Sequence, residues 1–181
     1  MLPLAFLLVQ AGIILVTGVI VYNTSIFPKV HPVLFAWLWF NIFIAIYEFY
    51  IIYNRQYFVS LSCPNDFWKE QVNNNFWLKA WHEYTCYSDM RYLDPKDTVF
   101  FIEGLNGILV LLQWVAFLTK SYNILIYLLI LQAANCLFYF VSLYNSRKMN
   151  ISLPYKASSY LIISSLWFIM PLYIVLFIPC A

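Results

Sequence analysis

Charged residues are scarce in this sequence: only 10% of its 181 residues are Asp, Glu, Lys or Arg. Soluble domains carry about 25%, so this chain has too little charge to build a water-exposed surface, which excludes a soluble globular domain. Its 64% hydrophobic content also excludes a disordered chain. Ten basic residues against eight acidic ones leave a formal net charge of +2, so we expect no nucleic-acid partner.

Glycine is scarce as well, with four residues in the chain. No ten-residue segment alternates apolar and polar side chains, and this excludes a transmembrane barrel. What the sequence does contain is long apolar runs, with a mean hydropathy of +0.75. The composition therefore predicts an all-α membrane protein with the lipid bilayer as its surroundings.

Five apolar runs are long enough to cross the hydrocarbon core as helices, which takes roughly 20 residues. They must be helical because lipid offers backbone amides no other partner. The predicted spans are Leu2–Tyr22, Pro32–Tyr53, Thr98–Thr119, Tyr122–Tyr144 and Ser158–Pro179. In the long connection between the second and third spans, tryptophans lie among charges, which is typical of short interfacial helices. We expect a single membrane domain, 1–181, built as a bundle of five transmembrane helices.

The basic residues indicate an orientation for this bundle. With five spans, eight Lys and Arg residues fall on the side of the N-terminus and the long connection, Asn54–Asp97. Only Lys29 and Lys120 fall on the other side. The positive-inside rule therefore places the long connection in the cytosol. Cys63 and Cys86 lie in it, and because disulfides persist only in oxidising compartments, a bond between them would overturn this orientation.

Two glutamates, Glu48 and Glu103, are the only ionisable residues within the predicted spans. Ionisable side chains at membrane depth are costly and usually face the bundle interior, so they are candidates for function. Neither has a cationic partner in its own helix, which favours a neutral acid, a proton shared by the pair, or a bound cationic ligand. The alternative is a protonated Glu that hydrogen-bonds helix to helix.

Polar and aromatic residues recur at helical spacing on one face of each of the last four spans. The four stripes are Trp37, Asn41, Ile44 and Glu48; Glu103, Asn106, Gly107 and Gln113; Gln132, Asn135, Tyr139 and Ser142; and Tyr160, Ser164, Trp167 and Pro171. Turned inward, they would enclose an aromatic pocket for a large apolar ligand that carries positive charge. For any single residue, hydrogen bonding between helices is the alternative.

Histidine is rare, with two residues in the chain. The segment from His82 to Cys86 has the spacing of a zinc-protease helix but carries Cys where the second His belongs. A catalytic zinc site is therefore not expected, and we predict neither a metal nor a cofactor.

A set of short motifs runs from the long connection to the last span. Its members are Trp81, Glu83 and Tyr84; Asp89, Arg91 and Tyr92; Thr98 and Val99; Glu103; Glu48; and Ser164, Trp167 and Pro171. Together they resemble the emopamil-binding protein branch of the EXPERA family. The EXPERA-like region covers about residues 32–180, and the helix 2–22 is additional to it.

The resemblance implies a site that acts on a sterol or another lipophilic ligand without a cofactor. Isomerases of this family shift a sterol double bond from the Δ8 to the Δ7 position in the endoplasmic reticulum. By resemblance, Glu103 would protonate the alkene, Glu48 would help to remove the neighbouring proton, and Trp167 would face the carbocation. The other expected substrate contacts are Trp37, Asn41, Asn106, Tyr139 and Ser164.

The residue Ile44 stands where the family has His, one turn before the second-span glutamate. Two functions therefore stay open: a sterol Δ8–Δ7 isomerase, or a non-catalytic relative that binds lipid or serves as a subunit of a membrane complex or homo-oligomer. The endoplasmic reticulum is the compartment implied by resemblance, and another organelle membrane is the alternative.

Overall fold

The structure, a computed structural model, describes residues 2–24, 30–59, 63, 76–87, 89–94, 96–146 and 154–178. Its regular elements, within these residues, are helices without strands. In chain order they are α1 (Leu2–Thr24), α2 (Pro32–Tyr53), α3 (Arg55–Val59), α4 (Phe76–Tyr87), a 3₁₀ turn (Met90–Leu93), α5 (Val99–Leu118), α6 (Tyr122–Ser146) and α7 (Pro154–Phe177).

The helices α2, α5 and α6 are each long and apolar enough to cross a membrane. Among the described side chains, α1 and α7 contribute shorter apolar stretches, Ala11–Thr24 and Ser164–Phe177. The prediction of an all-helical membrane protein is confirmed as far as the class: the described regular elements are helices, and three of them are long and apolar enough to cross a membrane. The short helix α4 overlaps the tryptophan-rich part of the long connection, where short helices were expected, and α3 begins the connection directly after α2.

Neighbouring helices pack in sequence order: α1 on α2, α2 on α5, α5 on α6 and α6 on α7, with a lighter contact between α2 and α7. The last four long helices thus form the bundle, and α1 lies outside it against α2. At that outer contact Trp39 Nε1 donates to the carbonyl of Ile14 at 3.0 Å. A Cβ on Gly18 would come within 2.7 Å of the Trp39 ring, so glycine allows this close approach.

The contact between α2 and α5 is the one that brings the two glutamates together. A Cβ on Gly107 would lie 2.7 Å from Phe49 Cζ, so the absence of a side chain at Gly107 allows the ring of α2 to lie directly on α5. Further along, Trp114 Nε1 donates to the carbonyl of Leu38 at 2.9 Å. These contacts set the separation of α2 and α5 on which the site depends.

The predicted orientation is contradicted by a disulfide between Cys63 and Cys86, whose Cα atoms lie 5.5 Å apart. Because disulfides persist in oxidising compartments, the bonded form places the long connection on an oxidising side of the membrane. The charge count treats every basic residue of the connection alike, although Arg91 is fully buried in an ion pair with Asp89.

Candidate functional site

The two glutamates face each other across the α2–α5 contact. Asn106 Nδ2, on α5, donates to Glu48 Oε1 at 2.7 Å. The Tyr92 hydroxyl, on the 3₁₀ turn, donates to Glu103 Oε1. The two carboxyls are close enough to interact electrostatically. Each acid therefore accepts a hydrogen bond from a neutral donor while the other acid lies beside it.

The second oxygen of Glu48 is the least satisfied polar atom of this pair. Glu48 is 6% exposed, and among the described residues its Oε2 has no hydrogen bond of ordinary geometry. Buried polar atoms are rarely left without a partner, and an exception calls for an explanation. Because Glu48 Oε2 lies beside the Glu103 carboxyl, a proton shared by the two acids would satisfy it as well as a ligand hydroxyl or ammonium group would.

A chain of buried amides leads to Glu48 through three helices. Gln113 Nε2 donates to Gln132 Oε1 at 3.1 Å, and Gln132 Nε2 donates to Asn106 Oδ1 at 3.1 Å and to Asn41 Oδ1 at 3.3 Å. The hydrogen bonds thus run from Gln113 on α5 to Gln132 on α6, and from there back to Asn106 on α5, which donates to Glu48 on α2. This alignment holds the carboxyl in place and directs positive ends of amide dipoles toward it.

An aromatic cluster lies toward the other end of the α2 stripe. The ring of Trp167, on α7, lies 6.1 Å from the Trp37 ring and 5.9 Å from the Phe40 ring. The Nε1 atoms of Trp37 and Trp167 are buried without a hydrogen-bond partner among the described residues. Eleven residues separate Trp37 from Glu48, about 16 Å along a helix. The Trp167 ring therefore packs on Trp37 and Phe40, and its proposed place beside a carbocation stays a prediction.

Most of the motif residues of the long connection build a buried network that is hydrogen-bonded to Tyr139 and Ser142 of α6. Asp89 holds Arg91 through several hydrogen bonds, the shortest 2.6 Å, and both side chains are fully buried. Arg91 Nη1 donates to Ser142 Oγ at 2.9 Å, and the Tyr139 hydroxyl donates to Asp89 Oδ2 at 2.9 Å. The hydroxyls of Tyr84 and Tyr139 lie 2.6 Å apart. The hydroxyl of Tyr139, a residue predicted to contact substrate, is thus bonded to the connection.

Titration of this network is shifted by its burial. Removal from water raises the pKa of Tyr92, and the nearby Glu103 adds to the shift. Burial raises the pKa of Tyr84 as well, with Asp89 adding to it. For Arg91, burial alone would lower the pKa, but the hydrogen bonds and charge of Asp89 outweigh it and raise the pKa. Tyr92 therefore keeps its proton as a donor to Glu103, and Arg91 keeps its charge.

The remaining predicted site residues fall in two places. Trp81 packs on the rings of Tyr84 and Tyr92, 4.9 Å and 5.1 Å away, so it belongs to the connection. Ser164 is half-buried on α7, and its carbonyl accepts from Cys136 Sγ at 3.5 Å. The side chains of Glu83 and Tyr160 lie outside the described residues.

Two features of the structure, one in the carboxyl site and one in the long connection, were not predicted from the sequence. Gln113 and Gln132 were placed on inward stripes, but their bond to each other was not foreseen. The second feature is a group formed by Cys63, His82 and Cys86, whose possible ligand atoms all lie within 4.8 Å of one another. The signal for it was partial: His82 and Cys86 are one helical turn apart in sequence, whereas nothing local points to Cys63.

Comparison of the chain with protein-family models, with curated proteins and with solved structures finds no match.

Proposed function

We propose that this chain is a five-span, EXPERA-type membrane protein that resembles the emopamil-binding protein and binds a sterol or a lipophilic amine. The observation that supports it most is the buried Oε2 of Glu48, which has no hydrogen bond of ordinary geometry among the described residues and lies beside a second acid, Glu103. An ammonium group, or a carbocation formed during a reaction, would supply the positive charge that this pair of acids favours.

The lengths of the outer helices support five crossings. The helices α1 and α7 contain 23 and 24 residues, which at 1.5 Å per residue gives roughly 35 Å. This exceeds the hydrocarbon thickness of about 30 Å. Pro171 lies inside α7, and such an interruption is tolerated in a membrane helix that packs on a neighbour.

In the catalytic form of the proposal, the sterol Δ8–Δ7 shift requires one acid in each protonation state. Glu103 would give its proton to one alkene carbon, leaving a carbocation on the other, and ionised Glu48 would take a proton from the carbon beyond the cation, which restores a double bond one position further on. Passage of that proton from Glu48 back to Glu103, which lies beside it, would reset the pair. Acid and base must lie near one developing cation. The Tyr92 hydroxyl would then stabilise the Glu103 carboxylate that is left. The endoplasmic reticulum is the proposed location.

A second function is favoured by the amide chain and by Ile44. Gln113, Gln132 and Asn106 already hydrogen-bond to one another across α5 and α6, a typical way to hold membrane helices together. Ile44 cannot serve as a partner for Glu48 in proton transfer. A non-catalytic protein that binds lipid, or that serves as a subunit of a membrane complex or homo-oligomer, would keep these contacts without the reaction.

Expression in cells that lack sterol Δ8–Δ7 isomerase tests catalysis directly. We expect the chain to restore Δ7 sterols, the Glu103→Gln variant to abolish the product, and the exposed Asp94→Asn variant to retain it as a matched control. Absence of Δ7 sterols despite good expression of the unmodified chain would refute the catalytic form and leave the binding form.

Ligand binding is tested separately on the purified protein. A tertiary amine at about 100 times its Kd should stabilise the protein by about 2.7 kcal/mol, seen as a higher melting temperature in detergent. Glu48→Gln should weaken the stabilisation, whereas Asp94→Asn should leave it intact. An unchanged melting temperature at saturating amine would count against the pocket itself.

A further inference from the structure

Three side chains of the long connection come together outside the carboxyl site. Cys63 Sγ, Cys86 Sγ and a ring nitrogen of His82 all lie within 4.8 Å of one another. His82 and Cys86 are 1% and 2% exposed, and Cys63 is exposed. Because His82 and Cys86 lie four residues apart on α4, they share one face of that helix. One side of the group therefore faces the protein and the other faces water.

These three donors are those that Zn²⁺ prefers, since thiolates and imidazole are its commonest protein ligands. Zn–S bonds of about 2.3 Å and Zn–N bonds of about 2.0 Å in a tetrahedron require sulfurs roughly 3.8 Å apart and a nitrogen roughly 3.5 Å from each sulfur. The donor atoms lie within 4.8 Å of one another, so small movements would bring them to these separations, and the two sulfurs, which are bonded to each other, have to part. A disulfide alone needs no imidazole, so the nearness of His82 to both sulfurs is what indicates a metal.

We propose that, once the Cys63–Cys86 bond is reduced, this group binds one Zn²⁺ through two thiolates and the imidazole of His82. Reduction by a dithiol transfers two electrons and two protons to the pair, and the dithiol becomes a disulfide. Binding of Zn²⁺ then releases two thiol protons to water, and the fourth position is open to a water molecule. The disulfide and the zinc form are thus two ways of tying residue 63 to α4.

The test uses the full-length protein in detergent with Co²⁺ as a spectroscopic substitute for Zn²⁺. After reduction with a phosphine and removal of metals under anaerobic conditions, titration with Co²⁺ should produce the thiolate-to-cobalt absorption and the visible bands of a tetrahedral site. These signals should saturate at one equivalent, and added Zn²⁺ should abolish them. The oxidised protein should give neither signal.

Variants assign the signal to these residues. Cys63→Ser and His82→Asn, each compared with the reduced unmodified protein, should lose the signal or weaken Co²⁺ binding at least tenfold. Cys136→Ser, which removes the buried thiol of α6, is the matched control and should bind as the unmodified protein does. Absence of the thiolate-to-cobalt band in the reduced protein, or its persistence in both Cys63→Ser and His82→Asn, would overturn the proposal.

Discussion

Substitution of Gly107 by Ala tests whether the close approach of α2 and α5 holds the carboxyl pair in place. A Cβ at this position would lie 2.7 Å from Phe49 Cζ and 3.0 and 3.2 Å from two further ring carbons. The ring or the helices therefore have to move. Such overpacking costs about 1–3 kcal/mol, and Ala returns about 1 kcal/mol in helix propensity. We expect a net loss of up to about 2 kcal/mol in the free energy of unfolding.

Gly104 offers a matched control on the same helix. A Cβ there would meet only Ile52 Cδ1 at 3.4 Å, an ordinary van der Waals contact. Gly104→Ala should therefore show the propensity gain alone, about 1 kcal/mol. The two alanine variants are expected to differ by about 1–3 kcal/mol, and comparing them removes the shared effect of replacing glycine in a helix.

Reversible unfolding by sodium dodecyl sulfate in mixed micelles measures these differences. In a Phe49→Leu background, where the ring is gone, the cost of Gly107→Ala should fall by more than about half, which reveals the coupling between the two positions. If Gly107→Ala is as stable as Gly104→Ala, the ring moves aside freely and the proposed role of Gly107 in setting the helix separation is wrong.

Two other predictions concern the long connection. Asp89→Asn leaves Arg91 buried without its anionic partner and should destabilise the protein by about 3–5 kcal/mol in the same assay. Asp94→Asn, at an exposed carboxylate that accepts from Lys96 N, should cost less, and equal losses would contradict a buried ion pair. Burial raises the pKa of Tyr92, so the folded protein keeps this proton at a pH where the unfolded chain loses it. The contribution of Tyr92 to stability is therefore present below about pH 10 and is lost as the pH rises further. Tyr92→Phe should flatten the fall in stability above about pH 10 by about one proton, and an unchanged slope would refute the assignment.

The helices were predictable from the sequence because the bilayer fixes their length and composition. The inward position of residues such as Asn41, Glu48 and Gln132 follows from helical periodicity, and all three are buried. Their partners were not predictable, since the facing residue depends on the order and rotation of helices around the bundle. The contact between Trp167 and Trp37 is an example, because it depends on how α7 is rotated against α2.

The long connection was the least predictable part, for two physical reasons. Its residues have no periodic relation to the helices, so the sequence spacing of Cys63 and His82 does not predict that they lie close together. Its charges also do not all face water: Arg91 counts as a cation in the sequence but is paired internally with Asp89. A rule that counts basic residues treats a buried, paired arginine and an arginine that faces water alike.

The pairing of Arg91 has a consequence for how the chain is made. Its partner on α6, Ser142, follows Arg91 by 51 residues. Tyr139, whose hydroxyl bonds Asp89, follows Asp89 by 50 residues and also lies on α6. During synthesis the connection is finished well before these partners emerge from the ribosome, so its buried charges stay in water until α6 has entered the membrane. Insertion of α6 is thus the step that closes the connection, and a chain interrupted before α6 would expose to quality control a segment that the finished protein hides.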